Sequence, residues 1–315
     1  MNLPKVAFIG SPSFAVASLE ALVSAGVPLV AVVCQPDKPA GRGNALRAPA
    51  VKEFALAHDL PLLQPVKVRD GALAAWLRAQ GTELVVVAAY GRILGPDVLH
   101  LTPLGCVNVH ASLLPRWRGA SPITRAIAAG DAQSGVCLMQ MDEGLDTGPE
   151  LARVVVPIAE TDTTATLEAK LADAGAQLLV AKLPEIAAQT LRAVPQPEAG
   201  LTFAPPLHKQ EGRIDWAQPA RRIHALIRAM QPWPGASTTP PELPDEAWKL
   251  FDDGLALGTH TGEPGTIVAL ERDAVWMATG EGSLRVATVQ RPGKRAMPTP
   301  EVLRGMRWGV GARLG

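Results

Sequence analysis

The sequence predicts an α/β protein in two parts: a Rossmann-like domain on a mainly parallel sheet, then a small OB-like β-barrel. Three observations carry this. Short apolar, β-branched runs alternate with helical patterns through the first half, which is the pattern of βαβ units. Prolines at 195, 197, 205 and 206 interrupt it, as an extended linker would. Short strand-like runs parted by turns follow, which suits a barrel. The expected divisions are residues 1–189, a Pro-rich linker at 190–206, and a barrel at 207–315.

VAFIG (6–10), LVAVVC (29–34), LVVVAA (84–89), CVNVH (106–110) and VCLMQM (136–141) read as buried strands, being short and bounded by Gly or Pro. Residues 14–24, 50–58, 71–80 and 121–129 have helical spacing. LARVVVPI (151–158) reads as a further strand, and Thr161-Asp162-Thr163 caps a long helix over 164–189. Residues 220–230 form an amphipathic helix. GTIVALE, AVWMATG and SLRVATVQ supply barrel strands, and no internal repeat is visible.

Apolar residues at 47% and charged residues at 19% describe an ordinary globular chain. Cys34, Cys106 and Cys137 are too few for a disulfide framework and too scattered for a metal site, so they read as reduced core residues. The chain enters a strand at once, with no signal-peptide pattern, and no apolar run nears the ~20 residues of a membrane span. A cytoplasmic protein with no membrane partner is expected. Net charge is zero, yet residues 285–315 carry seven Lys/Arg against Glu301 alone, which suggests a polyanionic partner. Neutral charge and no long exposed apolar segment favour a monomer.

The chemistry concentrates in VNVHASLLPRWRGASPI, residues 107–123. Alternate strand residues share a face, so Asn108 and His110 project together into the crevice at the carboxyl end of the sheet. An amide can hold a developing oxyanion, and an imidazole can move a proton near neutral pH. MDEGLDTGPEL (141–151) brings Asp142, Glu143 and Asp146 on a Gly-flanked loop directly after a strand. One carboxylate there can orient His110 and favour its charged form; Asp146 is the one expected, while Glu143 reads as a turn former. His58, His100, His208, His224 and His260 lack such a setting. No His, Cys and acid cluster has metal-ligand spacing, so no metal is expected.

These motifs, with QPDKPAGRG (35–43), VVVAAYGRIL (85–94), EGRIDW (211–216), QPWPG (231–235) and GKRAMPTPEVL (293–303), span nearly the whole chain. It resembles the folate-dependent formyltransferases, and within them the branch that formylates methionine carried on initiator tRNA. The resemblance implies Asn108, His110 and Asp146 as the catalytic trio. It places Ser112, Leu113, Leu114, Pro115 and Asp142 against the folate, and Tyr90, Ile93 and Leu94 around its pterin. The implied donor is (6S)-10-formyltetrahydrofolate, and the implied acceptor is the α-amino group of methionine on initiator tRNA. The 39–43 loop would then enter the acceptor arm, with Lys38, Arg42 and Arg47 on phosphate. Lys209, Lys294 and Arg295 would add contacts from the barrel. Asn44-Ala45-Leu46 stands where lysines are common in the family, and Ala111 where a glycine is common.

Three competing readings remain at this point. A formyltransferase acting on a small amine would share the trio, but would require neither the 39–43 loop nor a basic second domain. A non-catalytic RNA-binding module would not need an intact trio. A nucleotide-dependent oxidoreductase would need glycines that Gly10-Ser11-Pro12-Ser13-Phe14 lacks.

Overall fold

The computed structural model describes residues 3–40 and 45–315, which fall into two compact units. The first comprises Met1–Pro122, Gln133–Pro157 and Glu168–Pro205; the second comprises Ile123–Ala132, Ile158–Leu167 and Pro206–Gly315.

The first unit contains β1 (Val6–Gly10), β2 (Leu29–Val33), the hairpin strands β3 (Lys38–Ala40) and β4 (Ala45–Arg47), β5 (Leu62–Leu63), β6 (Leu84–Ala88), β7 (Cys106–His110), β8 (Arg118–Gly119), β9 (Gln133–Gln140), β10 (Glu150–Pro157) and β11 (Phe203–Ala204). Seven of these form one sheet in the order β10-β9-β7-β6-β1-β2-β5. Pairing is parallel from β5 through to β7. Strand β9 alone opposes its neighbours. The sheet is therefore mainly parallel, as the alternating pattern predicted. Strands β1 and β6 are buried along their whole length, which explains why they read as unbroken apolar runs.

Helices α1 (Ser13–Ser24), α2 (Ala50–Ala57), α3 (Ala72–Ala79) and α4 (Pro96–Leu99) connect these strands, followed along the chain by α5 (Pro122–Ala129) and α6 (Thr164–Ala187). Helix α6 begins where its cap cluster predicts. The Thr163 amide donates to Thr166 Oγ1 at 2.9 Å, and the Thr166 amide returns a bond to Thr163 Oγ1 at 3.3 Å. Such reciprocal capping satisfies amides that have no partner inside the helix. Gly175 lets α6 approach the sheet closely, since a Cβ there would stand 3.0 Å from Val109 Cγ1 and 3.2 Å from Val136 Cγ1. This seals the Val109 side of β7 and leaves Asn108 and His110 on the other side.

The proline-rich segment is extended and lies along the first unit. Val194 and Glu150 exchange both backbone hydrogen bonds at 2.8 Å, and β11 pairs in parallel with β8.

The second unit contains α7 (Ala220–Ala229), β12 (Ala236–Thr238), β13 (Trp248–Leu250), β14 (Ala256–Gly258), β15 (Ile267–Leu270), β16 (Val275–Ala278), β17 (Ser283–Val286), β18 (Thr288–Gln290), β19 (Met297–Pro298) and α8 (Thr299–Met306). Two antiparallel four-stranded sheets, β12-β13-β18-β19 and β14-β17-β16-β15, share a core that includes Trp216, Trp248, Ile227, Met277 and Val289. SLRVATVQ, expected as one strand, is two strands in different sheets. The chain changes sheet at Ala287, whose carbonyl accepts from both the amide (2.7 Å) and the hydroxyl (3.0 Å) of Thr299. Strands β12 to β14 hold three residues each, too few to show alternation in the sequence.

The three cysteines are free and buried. Burial pushes the Cys34 thiol up to about 11, and Cys106 and Cys137 up to about 12, so none supplies a thiolate nucleophile. No helix among the described residues is long and apolar enough to cross a membrane.

Candidate active site

Strand β7 lies between β6 and β9, with Asn108 level with Val87 on one side and Met139 on the other. Ladders on both sides fix its backbone, and alternation then fixes where Asn108 and His110 emerge. Asn108 is half-buried and His110 is buried. Beyond them the chain turns tightly. The Ser112 amide donates to the His110 carbonyl at 2.9 Å, and the Ser112 hydroxyl donates to the Arg116 carbonyl at 2.7 Å.

That turn ends on His110. Imidazole Nε2 lies 3.2 Å from the Trp117 carbonyl. A carbonyl can only accept, so Nε2 carries the hydrogen and Nδ1 keeps the lone pair of the neutral ring. Nδ1 faces Asp146 Oδ2 at 3.7 Å, within ion-pair range but beyond a hydrogen bond. The Asp146 carboxylate is itself aimed, because Oδ2 accepts the Gly119 amide at 2.8 Å. Asp146 has φ 51, a left-handed backbone that Asp tolerates better than most residues. Gly119 could not be replaced at no cost: its φ is 123, and a Cβ would stand 2.7 Å from the Ala204 carbonyl oxygen.

The residues expected to meet the folate separate into two sets. Ser112, Leu114 and Pro115 are buried, and the Ser112 hydroxyl is committed to the turn. Leu113 packs on Gly135, where a Cβ would approach its Cδ2 to 2.5 Å. Tyr90 and Leu94 belong to the core of the first unit. Ile93, by contrast, is 66% exposed, and Ala89 and Gly91 present exposed backbone at positive φ. A flat heterocycle at this edge would meet backbone groups and Ile93 rather than the Tyr90 ring. Asp142 is exposed, and its Oδ1 accepts from the Gly144 amide (3.1 Å) and the Thr147 hydroxyl (2.6 Å), closing its own loop.

Of the expected tRNA-binding residues, Arg42 lies outside the described residues. Lys38 and Arg47 stand opposite each other in the β3–β4 hairpin. Lys209, Lys294 and Arg295 are exposed. The basic tail is less open than its composition suggests. Arg285 pairs with Glu271 and Asp273, Arg291 with Glu246, and Arg313 with Glu263. Among the described residues no group of three or more His, Cys, Asp or Glu could hold a metal.

Two groups escaped the sequence reading. Gln196 donates from Nε2 to the carbonyls of Asp146 (2.8 Å) and Gly148 (2.7 Å), and its Oε1 accepts from Arg118 at 3.0 and 2.7 Å. Gln35 joins Ser11, Gln64, Lys38 and the Tyr90 carbonyl. The Pro195-Gln196-Pro197 pattern was the only local signal for the first.

Comparison with known proteins places the chain. Residues 4–183 match the formyl transferase family, and residues 206–307 match the formyl transferase C-terminal domain. A methionyl-tRNA formyltransferase of Anaeromyxobacter dehalogenans is 49% identical over 306 residues, covering 96% of this chain and 97% of the relative. One from Myxococcus xanthus is 47% identical over 313 residues, covering 99% and 98%. Among solved structures, an N-formyltransferase from Helicobacter canadensis in complex with folinic acid and dTDP-3-aminofucose superposes with a TM-score of 0.67 at 16% identity, covering 92% of this chain and all of the other. HypX from Aquifex aeolicus in complex with tetrahydrofolic acid gives 0.63 at 17% identity over 98% of this chain, which spans about half of HypX (48%). These two likenesses speak for the fold, and the close relatives for the family. The chain belongs to the formyl transferase family of group-transfer enzymes.

Proposed function

We propose that this chain transfers the formyl group of (6S)-10-formyltetrahydrofolate to the α-amino group of methionine on initiator tRNA. The observation that carries the chemistry is the trio at the end of β7: an amide and an imidazole on one face, with a carboxylate held beside the imidazole. The acceptor follows from close relatives of nearly equal length that are named methionyl-tRNA formyltransferases.

The free amine attacks the formyl carbon, and negative charge gathers on the formyl oxygen. The Asn108 amide donates to that oxygen as the charge develops. The attacking nitrogen must lose a proton, and His110 Nδ1 takes it, directly or through water. The imidazolium so formed lies between the Trp117 carbonyl, which accepts from Nε2, and the Asp146 carboxylate, whose charge stabilises it. His110 then returns the proton to N10 of the folate as the carbon–nitrogen bond breaks, leaving a formamide and tetrahydrofolate. Holding both substrates together removes much of the entropic barrier to a bimolecular step. The folate would lie against the backbone of Ala89 and Gly91, Ile93 and Asp142. Lys38, Arg42, Arg47, Lys209, Lys294 and Arg295 would meet tRNA phosphates. The protein would act as a monomer in the cytoplasm.

The test is formyl transfer from 10-formyltetrahydrofolate to methionine-charged initiator tRNA, with charged elongator tRNA as control. Transfer to initiator tRNA alone supports the reading in full. Equal rates on both would remove the specificity, and transfer only to a free amino sugar or ribonucleotide would replace the acceptor.

A further inference from the structure

The run from Arg192 to Gly200 is exposed except at Gln196. Prolines on both sides explain why this residue can be spent on a precise contact. Pro195 and Pro197 are fixed in φ, and Pro197 also confines the residue before it to extended conformations. Little backbone entropy then opposes holding the Gln196 side chain in place. The segment is anchored at both ends as well: Val194 is bonded to Glu150, and the Thr202 hydroxyl accepts the Trp117 amide at 2.9 Å.

Gln196 reaches two stretches of chain that must keep register for the site to work. Its two N–H donors hold the carbonyls of Asp146 and Gly148, on either side of Thr147 at the end of the acid loop. Its oxygen holds Arg118, between Trp117, whose carbonyl takes His110 Nε2, and Gly119, whose amide aims Asp146. The carboxylate and the imidazole support are thus tied to one amide side chain. A shift of a few tenths of an ångström would alter the 3.7 Å approach of Asp146 to His110.

We infer that Gln196 is a positioning residue for formyl transfer, acting through Asp146; this rests on the assignment of Asp146 and His110 as the proton-handling pair. Hydrogen-bond partners that orient metal-binding histidines and carboxylates commonly matter about 10- to 100-fold, and the same scale is expected for a partner that orients a proton-handling carboxylate. Gln196→Glu keeps the acceptor for Arg118 but loses both donors to the acid loop. Gln196→Met, of similar length, loses both kinds of hydrogen bond and serves as the second variant.

The experiment measures single-turnover formyl transfer from 10-formyltetrahydrofolate to methionine-charged initiator tRNA by the full chain, with the KM for the folate and the thermal midpoint of each variant. Both substitutions should slow transfer about 10- to 100-fold, with the folate KM changed less than about threefold and the midpoint little moved. In an Asp146→Ala background, Gln196→Glu should cost less than about twofold, because the residue through which it acts is gone. Equal losses in both backgrounds, or a loss below about threefold in the native background, would overturn the inference while leaving the trio standing. If Asp146→Ala itself left the transfer rate intact, the trio would fall and this inference with it.

Discussion

The polar groups at the end of β7 and the cations of the second unit are held in opposite ways. Asn108, His110 and Asp146 are short side chains on a strand or a bonded loop, and their supports are backbone groups: the Trp117 carbonyl and the Gly119 amide. Arg285, Arg291 and Arg313 are long side chains whose partners are carboxylates at the surface. Backbone supports hold direction at little entropic cost. Surface ion pairs hold charge loosely, are screened by salt, and contribute little to stability. The first arrangement suits a reaction that tolerates no misplacement, and the second suits a partner bound by many weak interactions. Substitution should therefore act steeply at the first and gradually at the second.

The steepest effect belongs to Asn108. Asn108→Ala should lower single-turnover transfer on the order of 10²–10³-fold, as the loss of an oxyanion donor does, with the fold intact by circular dichroism. A loss below tenfold would remove the oxyanion role and blur the contrast. Gly119→Ala should come next. It forces a Cβ toward the Ala204 carbonyl at a φ of 123, so the strain must move the amide that aims Asp146. We expect it to lower both the thermal midpoint and the rate, whereas Gly293→Ala, with open space around its Cβ position though also at positive φ (69), should leave the rate alone.

What the sequence made legible follows the same division between local and distant interactions. Asn108 and His110 were readable because strand alternation is a rule over three residues. The Rossmann-like sheet was readable because each βα unit announces itself. Asp146 was within reach, lying on the first acidic loop after the next strand of the sheet. Gln196 was not, since its partners lie 50 and 78 residues away, and no period relates a hydrogen bond to its far end. The ion pairs that quench the basic tail escaped for the same reason: Arg291 meets Glu246 45 residues upstream. Counting charges along the chain sees the arginines and misses their neutralisation.

That neutralisation makes the next prediction specific. Lys294→Ala and Arg295→Ala together should weaken tRNA binding several-fold at low salt. They should also reduce the slope of log K against log salt by about one for each phosphate that is no longer neutralised. Arg291→Ala should change that slope much less, because its charge already faces Glu246. Equal slopes for the two variants would mean that the quenched and open cations act alike.

The smallest effect is on stability and tests the second unit through pH. His224 is half-buried on α7, and Arg228 Nε donates to its Nδ1 at 3.3 Å, so the ring is an acceptor and neutral. Burial, then the charge of Arg228, lowers its pKa; Glu160 opposes them, and Arg221 adds the smallest lowering influence. In the unfolded chain the ring titrates near about 6.5. The unfolded state thus binds more protons below that pH, and stability falls as pH drops from there through the lowered folded value. Above about 6.5 the contribution is present in full. His224→Gln keeps an oxygen for Arg228 and cannot titrate, so its midpoint should decline less between pH 7 and pH 5 than that of the native chain. Parallel curves for the two proteins would show that the ring is solvated rather than held by Arg228. The second unit would then lose a buried cation pairing from the contrast, and Arg228 would be left to the carbonyls of Asp162 and Ala159 at 2.7 and 3.3 Å.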